Sequence, residues 1–291
     1  MKPLRIVHLS DFHCDGSPEL RAALARLVNR AIDCDPDLVV VTGDLSADGR
    51  PAELDAVAAE LERFGPIPRV VVPGNRDLVP SVGPPGEARS LPVDSDLDFF
   101  LALEPALGFG FDDGPGVLAG HDAGPDADPE VRFSSRFGRL DARFAAPRIQ
   151  LVAVNSTPRL RPAELERAAR RLRRSPDGAF RIFALHHGLL PVPGRKLRDG
   201  DLANRSGDLL ALLLELKVDL VLHGHIHRAH AWLVSDGHHQ TVVASAGALV
   251  NDGRRDASFN EILVEDGRLE VRRRSVATGE PSLLFETSRP G

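Results

Sequence analysis

Tyrosine is absent from this 291-residue chain, and Trp and Met occur once each. Aromatic residues make up 5% of it, too few for a stacking platform that would hold single-stranded nucleic acid. Cysteine is scarce. Cys14 and Cys34 can form at most one bridge, which excludes a disulfide scaffold and suits a reducing compartment. No apolar run approaches ~18 residues, so no spanning helix is expected. The most apolar helix-like stretch, Leu209 to Leu222, is broken by Glu215, Lys217 and Asp219. The opening residues lack the apolar h-region and small-residue cleavage site of a secretory leader, so a cytoplasmic protein is expected. Positive charge is not in excess either. A net charge of −6 argues against non-specific nucleic-acid binding, although a local basic groove stays open. Only Lys2, Lys196 and Lys217 are lysines, an Arg-for-Lys bias that covers the whole chain and marks no site. Set against these absences is enough apolar material for a sizeable core, 42% of the chain.

That apolar material is periodic. Leu4–Leu9, Leu38–Val41 and Val70–Val72 read as short buried strands. Helical spacing covers Pro18–Ile32 and Pro51–Phe64, with Pro51 at a first helical position. The result is βαβαβ, the pattern of an α/β layer fold. Leu78 to Arg148 breaks the pattern, with nine Pro and nine Gly in 71 residues. It reads as either a disordered stretch or an irregular functional insertion, the latter with Phe99, Phe100 and Leu101 as a small anchor and the flanks as a lid or rim. Regular structure resumes with strand Ile149–Val154, helix Pro162–Arg174, strand Phe180–Leu185, helix Ser206–Leu216 and strand Val218–Leu222. The tail is strand-rich, with Ala231–Val234, Thr241–Ala244, Glu261–Glu265 and Leu269–Arg273. Asp266-Gly267 between the last two signals a type I′ hairpin. No repeat or linker divides the chain, so residues 1–291 are expected to form a single domain.

Each buried strand runs into ligand-type residues. The first leads to Asp11-Phe12-His13, the second to Gly43-Asp44 and the third to Gly74-Asn75-Arg76-Asp77. Phe180–Leu185 ends at His186-His187, and Val218–Leu222 runs into His223-Gly224-His225-Ile226-His227. In open α/β sheets ligands bind outside the carboxyl ends of the strands. In extended backbone, residues two apart share a side, so Asp11 with His13, and His225 with His227, would each reach one ion. Oxygen plus imidazole without thiolate suits Mn²⁺, Fe or Zn²⁺. The set exceeds what one tetrahedral ion needs and suits two ions sharing a carboxylate, a pair that clamps in-line displacement at phosphorus.

Asp-x-His, Gly-Asp, Gly-Asn-x-Asp, a strand-terminal His and Gly-His-x-His, in this order, resemble the calcineurin-like metallophosphoesterase superfamily. The resemblance spans Ile6 to His227. It implies a four-layer α/β/β/α sandwich with a dinuclear site at one edge. It also implies one metal on Asp11, His13 and His227, a second on Asn75, His186 and His225, and Asp44 bridging. The mechanism it implies is attack on phosphorus by a metal-bound hydroxide. His186-His187-Gly-Leu-Leu-Pro with Asp219-Leu-Val-Leu-His-Gly-His is most similar to the bacterial cyclic-nucleotide phosphodiesterase branch.

The third motif departs from the family's usual Gly-Asn-His-Asp. Arg76 stands where a His meets phosphoryl oxygens or protonates the leaving group. A guanidinium does not give up its proton at neutral pH, but it can hold phosphate bidentately. The UDP-diacylglucosamine pyrophosphatase branch resembles this chain in carrying Arg here. A pyrophosphate needs little leaving-group protonation; otherwise His187, which titrates in a suitable range, is the candidate acid and substrate contact. A small phosphodiester or nucleotide substrate is therefore expected, with a DNA exonuclease or a non-catalytic metal-binding scaffold as the rivals. His8 is expected to pack in or beside the sheet, while for His223 support of the ligands and simple core packing are equally open. His121, His230, His238 and His239 read as solvated loop residues, Cys14 as a small packed residue, and the Arg-rich helix 161–174 as a solvated face.

Overall fold

The computed structural model describes residues 3–79, 127–249, 256–265 and 267–288. Phe99, Phe100, Leu101, His121 and Asp266 lie outside the described residues. The chain opens with β1 (Leu4–Leu9), α1 (Pro18–Ile32), β2 (Leu38–Thr42), α2 (Pro51–Glu62) and β3 (Arg69–Val72). Next come α3 (Pro129–Phe137), β4 (Ala142–Ala146), β5 (Ile149–Ala153), α4 (Pro162–Arg173) and β6 (Phe180–Ala184). The last part holds α5 (Ser206–Glu215), β7 (Leu220–His223), β8 (His230–Ser235), β9 (Gln240–Ser245), β10 (Ser258–Glu265), β11 (Arg268–Ser275) and β12 (Pro281–Ser288).

Local chemistry explains the helix starts. The Ser17 hydroxyl accepts from the Leu20 amide and Pro18 fills a first-turn position, so α1 begins where its orphan amides find a partner. The strands form two six-stranded sheets, ordered β12-β11-β10-β1-β2-β3 and β4-β5-β6-β7-β9-β8. β1, β2 and β3 are parallel, as are β5, β6, β7 and β9. All their ligand-bearing ends therefore face one edge.

Alternation along the strands builds the layers. Val7, Leu9, Val39 and Val41 point to Leu24 and Leu27 of α1, Val57 and Leu61 of α2, and Phe133 of α3. Their neighbours Ile6, Leu38 and Val40 point the other way, onto Leu151, Ile182, Leu220 and Val242 of the second sheet. Val152, Phe183, Val221 and Val243 leave that sheet's far face to meet Leu165 and Leu172 of α4 and Leu209 and Leu213 of α5. This is the expected four-layer α/β/β/α sandwich. Strands covered on both faces read as unbroken apolar runs, and each such side chain contributes about 1.5–3 kcal/mol by burial.

The segment 78–148 is not wholly irregular. Its last part holds α3, capped by the Asp128 carboxylate, and β4, which pairs antiparallel with β5. Phe133 of α3 is fully buried in the first core layer, and Arg132 Nη2 donates to Val79 O at 2.9 Å. β12 is a further strand beyond those expected, paired with β11 at the sheet edge. The β10–β11 hairpin closes at Glu265 opposite Arg268, with Gly267 at φ 82, as the turn signal required.

Candidate metal centre

Two groups of ligand-type side chains meet at the strand ends. Asp11, His13, Asp44 and His227 offer donor atoms within 4.8 Å of one another, and so do Asp44, His186 and His225. Asp44 belongs to both groups, so its carboxylate lies between them. In the first group His13 Nε2 is 2.9 Å from His227 Nε2 and 3.7 Å from Asp44 Oδ2, while His227 Nε2 is 3.3 Å from Asp11 Oδ1. In the second, His186 Nε2 is 3.1 Å from His225 Nδ1, 3.1 Å from Asn75 Oδ1 and 3.4 Å from Asp44 Oδ1. The side chains expected as ligands thus lie close together, with Asn75 beside the second group.

The backbone that achieves this is not extended. Asp11, His13, Asp44, His225 and His227 have φ between 46 and 66. Asp11 and His13 do share a group, whereas His225 and His227 fall in different groups, and neither pair is placed by the extended backbone expected of it. These five candidate ligands are left-handed residues beyond the strand proper, a strained conformation for a side chain with Cβ and one concentrated at functional sites. Glycine permits the close approach around them. A Cβ on Gly74 would lie 2.2 Å from Asp44 Oδ1, and one on Gly224 would lie 1.8 Å from Ser10 Oγ and 2.6 Å from Asp11 Oδ2.

Backbone amides aim the carboxylates. His225 N donates to Asp11 Oδ2 at 2.9 Å, and Arg76 N donates to Asp44 Oδ1 at 2.8 Å. Asp77, the last residue of the third motif, ties the loop together. Its Oδ1 accepts from Ser46 N and Oγ, and its Oδ2 accepts from Gly74 N. Burial, reinforced by the charge of Asp44, raises the Asp77 pKa to about 6.

Electrostatics favour a cation here. Burial opposes ionisation of Asp11, but the hydrogen bond and charge of His227 and the charge of His186 outweigh it and hold its pKa at about 2. Asp44 is likewise held below the usual carboxylate range, because His186 and His13 outweigh its burial. In turn, burial disfavours the His186 imidazolium, yet Asp44 and Asp11 raise its pKa to about 9. Burial lowers His225 to about 4, with His186 adding to the effect. Two buried carboxylates therefore keep a proton on an imidazole whose Nε2 points at other donors, a place that a metal ion fits in chemistry and charge.

The other described histidines occupy several settings. His8 is fully buried within the first sheet, and His223 is buried with its ring stacked 6.0 Å from Trp232. His223 precedes Gly224 but does not share the ligands' side, because the segment after it turns. His238 is exposed; His230 begins β8, and His239 faces Val218 O at 2.9 Å, so these two are half-buried rather than free in solvent. Cys14 is a buried free thiol packed in the first core layer. His187 is buried, with Nδ1 2.8 Å from Ser156 Oγ and its ring 4.6 Å from that of His225. A cleft of about 660 Å³ opens at the other end of the sandwich, where the strands begin. Its carboxylates Asp37 and Asp219 each accept from a backbone amide.

Residues 4–229 match the family model of the calcineurin-like phosphoesterases. The chain belongs to that family. Its fold is similar to that of a dimetal phosphatase from Danio rerio, with TM-score 0.59 and 13% identity over 98% of this chain and 99% of that one. It is also similar to GAP50, the anchor in the inner membrane complex of Plasmodium, with TM-score 0.54 and 14% identity over 99% and 88% of the two chains. No match is found among curated proteins. Among the described residues no helix is long and apolar enough to cross a membrane.

Proposed function

We propose that this calcineurin-like phosphoesterase is a dimetal hydrolase of phosphodiester or pyrophosphate bonds in small, nucleotide-type substrates. The observation that carries the reading is Asp44, a buried carboxylate common to two ligand groups. Asp11, His13 and His227 would hold one ion, Asn75, His186 and His225 the other, and Asp44 would bridge. Mn, Fe or Zn ions there would supply Lewis-acid charge and a nucleophile competent near neutral pH.

The chain's own groups bind and orient the substrate. Arg76 is anchored by its main chain to Asp44, and no described residue takes its guanidinium, which is free to bind phosphoryl oxygens in a fork. Charge that develops on those oxygens is stabilised by that guanidinium. Ser156 Oγ accepts from His187 N at 3.1 Å and faces Nδ1 at 2.8 Å; in the tautomer this reading uses, the hydroxyl donates to Nδ1 and the ring proton is on Nε2. Burial and the neighbouring His186 and His225 hold the His187 pKa well below its ordinary value. His187 is thus a neutral donor to the leaving oxygen. Bonds with good leaving groups suit such a site, which favours pyrophosphates and aryl diesters over alkyl diesters.

Nucleic acid is not the favoured substrate. On α4, Arg170 pairs with Glu166 at 2.6 Å, Arg171 with Asp141 at 3.6 Å and Arg173 with Glu215 at 3.5 Å, which leaves little of the helix to track phosphates. Free Cys14 and Cys34 suit the cytoplasm, where residues 1–291 would act as one catalytic unit. The test is a screen of the Mn²⁺-, Fe²⁺- or Zn²⁺-loaded protein against an aryl diester, cyclic nucleotides, nucleotide pyrophosphates and DNA. Turnover of the aryl diester and a pyrophosphate, abolished in Asp44→Asn, is expected. A metal-loaded protein that cleaves none of them would be a scaffold, the kind of role that the name of the Plasmodium anchor gives to that protein.

A further inference from the structure

Behind His186 lies a chain of buried polar contacts that the phosphoesterase reading does not use. His186 Nδ1 is 2.6 Å from Thr42 O, the last carbonyl of β2 before Gly43 and the bridging Asp44. Ser10 Oγ donates to the same carbonyl at 3.1 Å. The Thr42 side chain meets a second histidine, with Oγ1 3.0 Å from His8 Nε2. His8 Nδ1 is 3.3 Å from Asn260 Nδ2, which also donates to Ser245 O at 3.0 Å. His8, Thr42, His186, Ser245 and Asn260 are all buried.

The directions of these bonds follow from donor chemistry. Ser245 O only accepts, so the Asn260 atom facing it is the amide nitrogen, and that nitrogen can only donate to His8 Nδ1. The His8 proton must then sit on Nε2 and point to Thr42 Oγ1. His186 in turn donates Nδ1–H to Thr42 O, which turns its Nε2 toward Asn75 and Asp44. Asn260 thus dictates the hydrogen of His8, and the Thr42 carbonyl dictates that of His186, so the two histidines meet through the one residue Thr42.

We infer that His8, Thr42 and Asn260 are positioning residues that fix the Thr42–Gly43 turn and the His186 ring, and so set the affinity of the second metal position. The inference rests on the dimetal reading. It gives β10, which lies beyond the family match at 4–229, a part in building the metal centre. Outer partners of metal-bound histidines are worth roughly 10–100-fold in affinity.

Titration with Zn²⁺ alone tests it, the second position being the one whose binding step His225→Ala removes. Thr42→Val keeps the shape and removes the hydroxyl; it should weaken that step about 10–100-fold and leave the other unchanged. Thr42→Ser restores the hydroxyl and should bind as the wild type does. A folded Thr42→Val protein with both affinities unchanged overturns the inference. Should Thr42→Val not fold, ¹⁵N NMR of the Zn²⁺-loaded wild type decides. It should show His8 protonated at Nε2, and a proton at Nδ1 overturns the relay. A wild type that takes up no Zn²⁺ overturns the dimetal reading itself, an outcome distinct from uptake that is blind to Thr42.

Discussion

Arg76 meets Asp44 through its main-chain amide, which donates at 2.8 Å, while its side chain is half-buried and has no described partner. Truncation should therefore spare the ligands and remove only a contact made with the reacting phosphoryl group. Arg76→Ala is expected to lower kcat by about 10²–10³-fold with metal content unchanged. Arg76→Lys should recover only part, because a point charge does not copy the fork. Arg76→His should raise kcat/KM for an alkyl diester relative to an aryl diester; an unchanged ratio would shift the leaving-group role wholly to His187. The ligand residues were legible as motifs, because Asp, Asn and His recur after apolar runs and carry their chemistry in the residue type. What supports them was not. Thr42, Ser156 and Asn260 are ordinary polar residues on or beside strands, and nothing local shows that they meet a histidine far away in the chain.

At the scale of elements, the site depends on two glycines as much as on its ligands. Gly224 lies between β7 and His225, and a Cβ there would run into Ser10 and Asp11. Gly224→Ala should push Asp11 away and cost at least one metal per chain, read by elemental analysis of a protein whose circular dichroism is unchanged. The helices and strands that build the frame were visible where burial is two-sided or periodicity is long. β1 at Leu4–Leu9 and α1 at Pro18–Ile32 coincide with their expected bounds. α3 and β4 were not visible. α3 spans only nine residues within a Pro- and Gly-rich stretch, and β4 is the Ala-rich edge strand ARFAA. β12 is largely exposed at the other sheet's edge, so its apolar pattern is weak. α3 nonetheless carries core. Phe133→Ala should cost about 3–5 kcal/mol in urea unfolding, the range for deleting a buried ring. A loss under 1 kcal/mol would mean that α3 only rests on the surface.

Over the whole molecule, the proposed ligands come from loops after β1, β2, β3, β6 and β7, which lie in two different sheets. Only a closed sandwich brings them together, and β10, paired along β1 from Leu4 to His8, completes the first sheet. Leu249 N donates to Asp11 O at 3.1 Å, so the tail also touches a ligand directly. Folding and metal binding should therefore be linked. An ion that binds the folded chain alone adds about 4.1 kcal/mol of stability at a thousandfold excess over its Kd. For a large domain that is a rise in Tm on the order of 10 °C for each ion. Melting curves in Mn²⁺ against a chelator should show this shift in the wild type. His227→Ala removes a ligand of the first group only and should keep roughly half of the rise. Asp44→Asn weakens the residue common to both and should lose nearly all of it. Equal losses in the two variants would mean that Asp44 does not bridge, and that the two ligand groups fill independently.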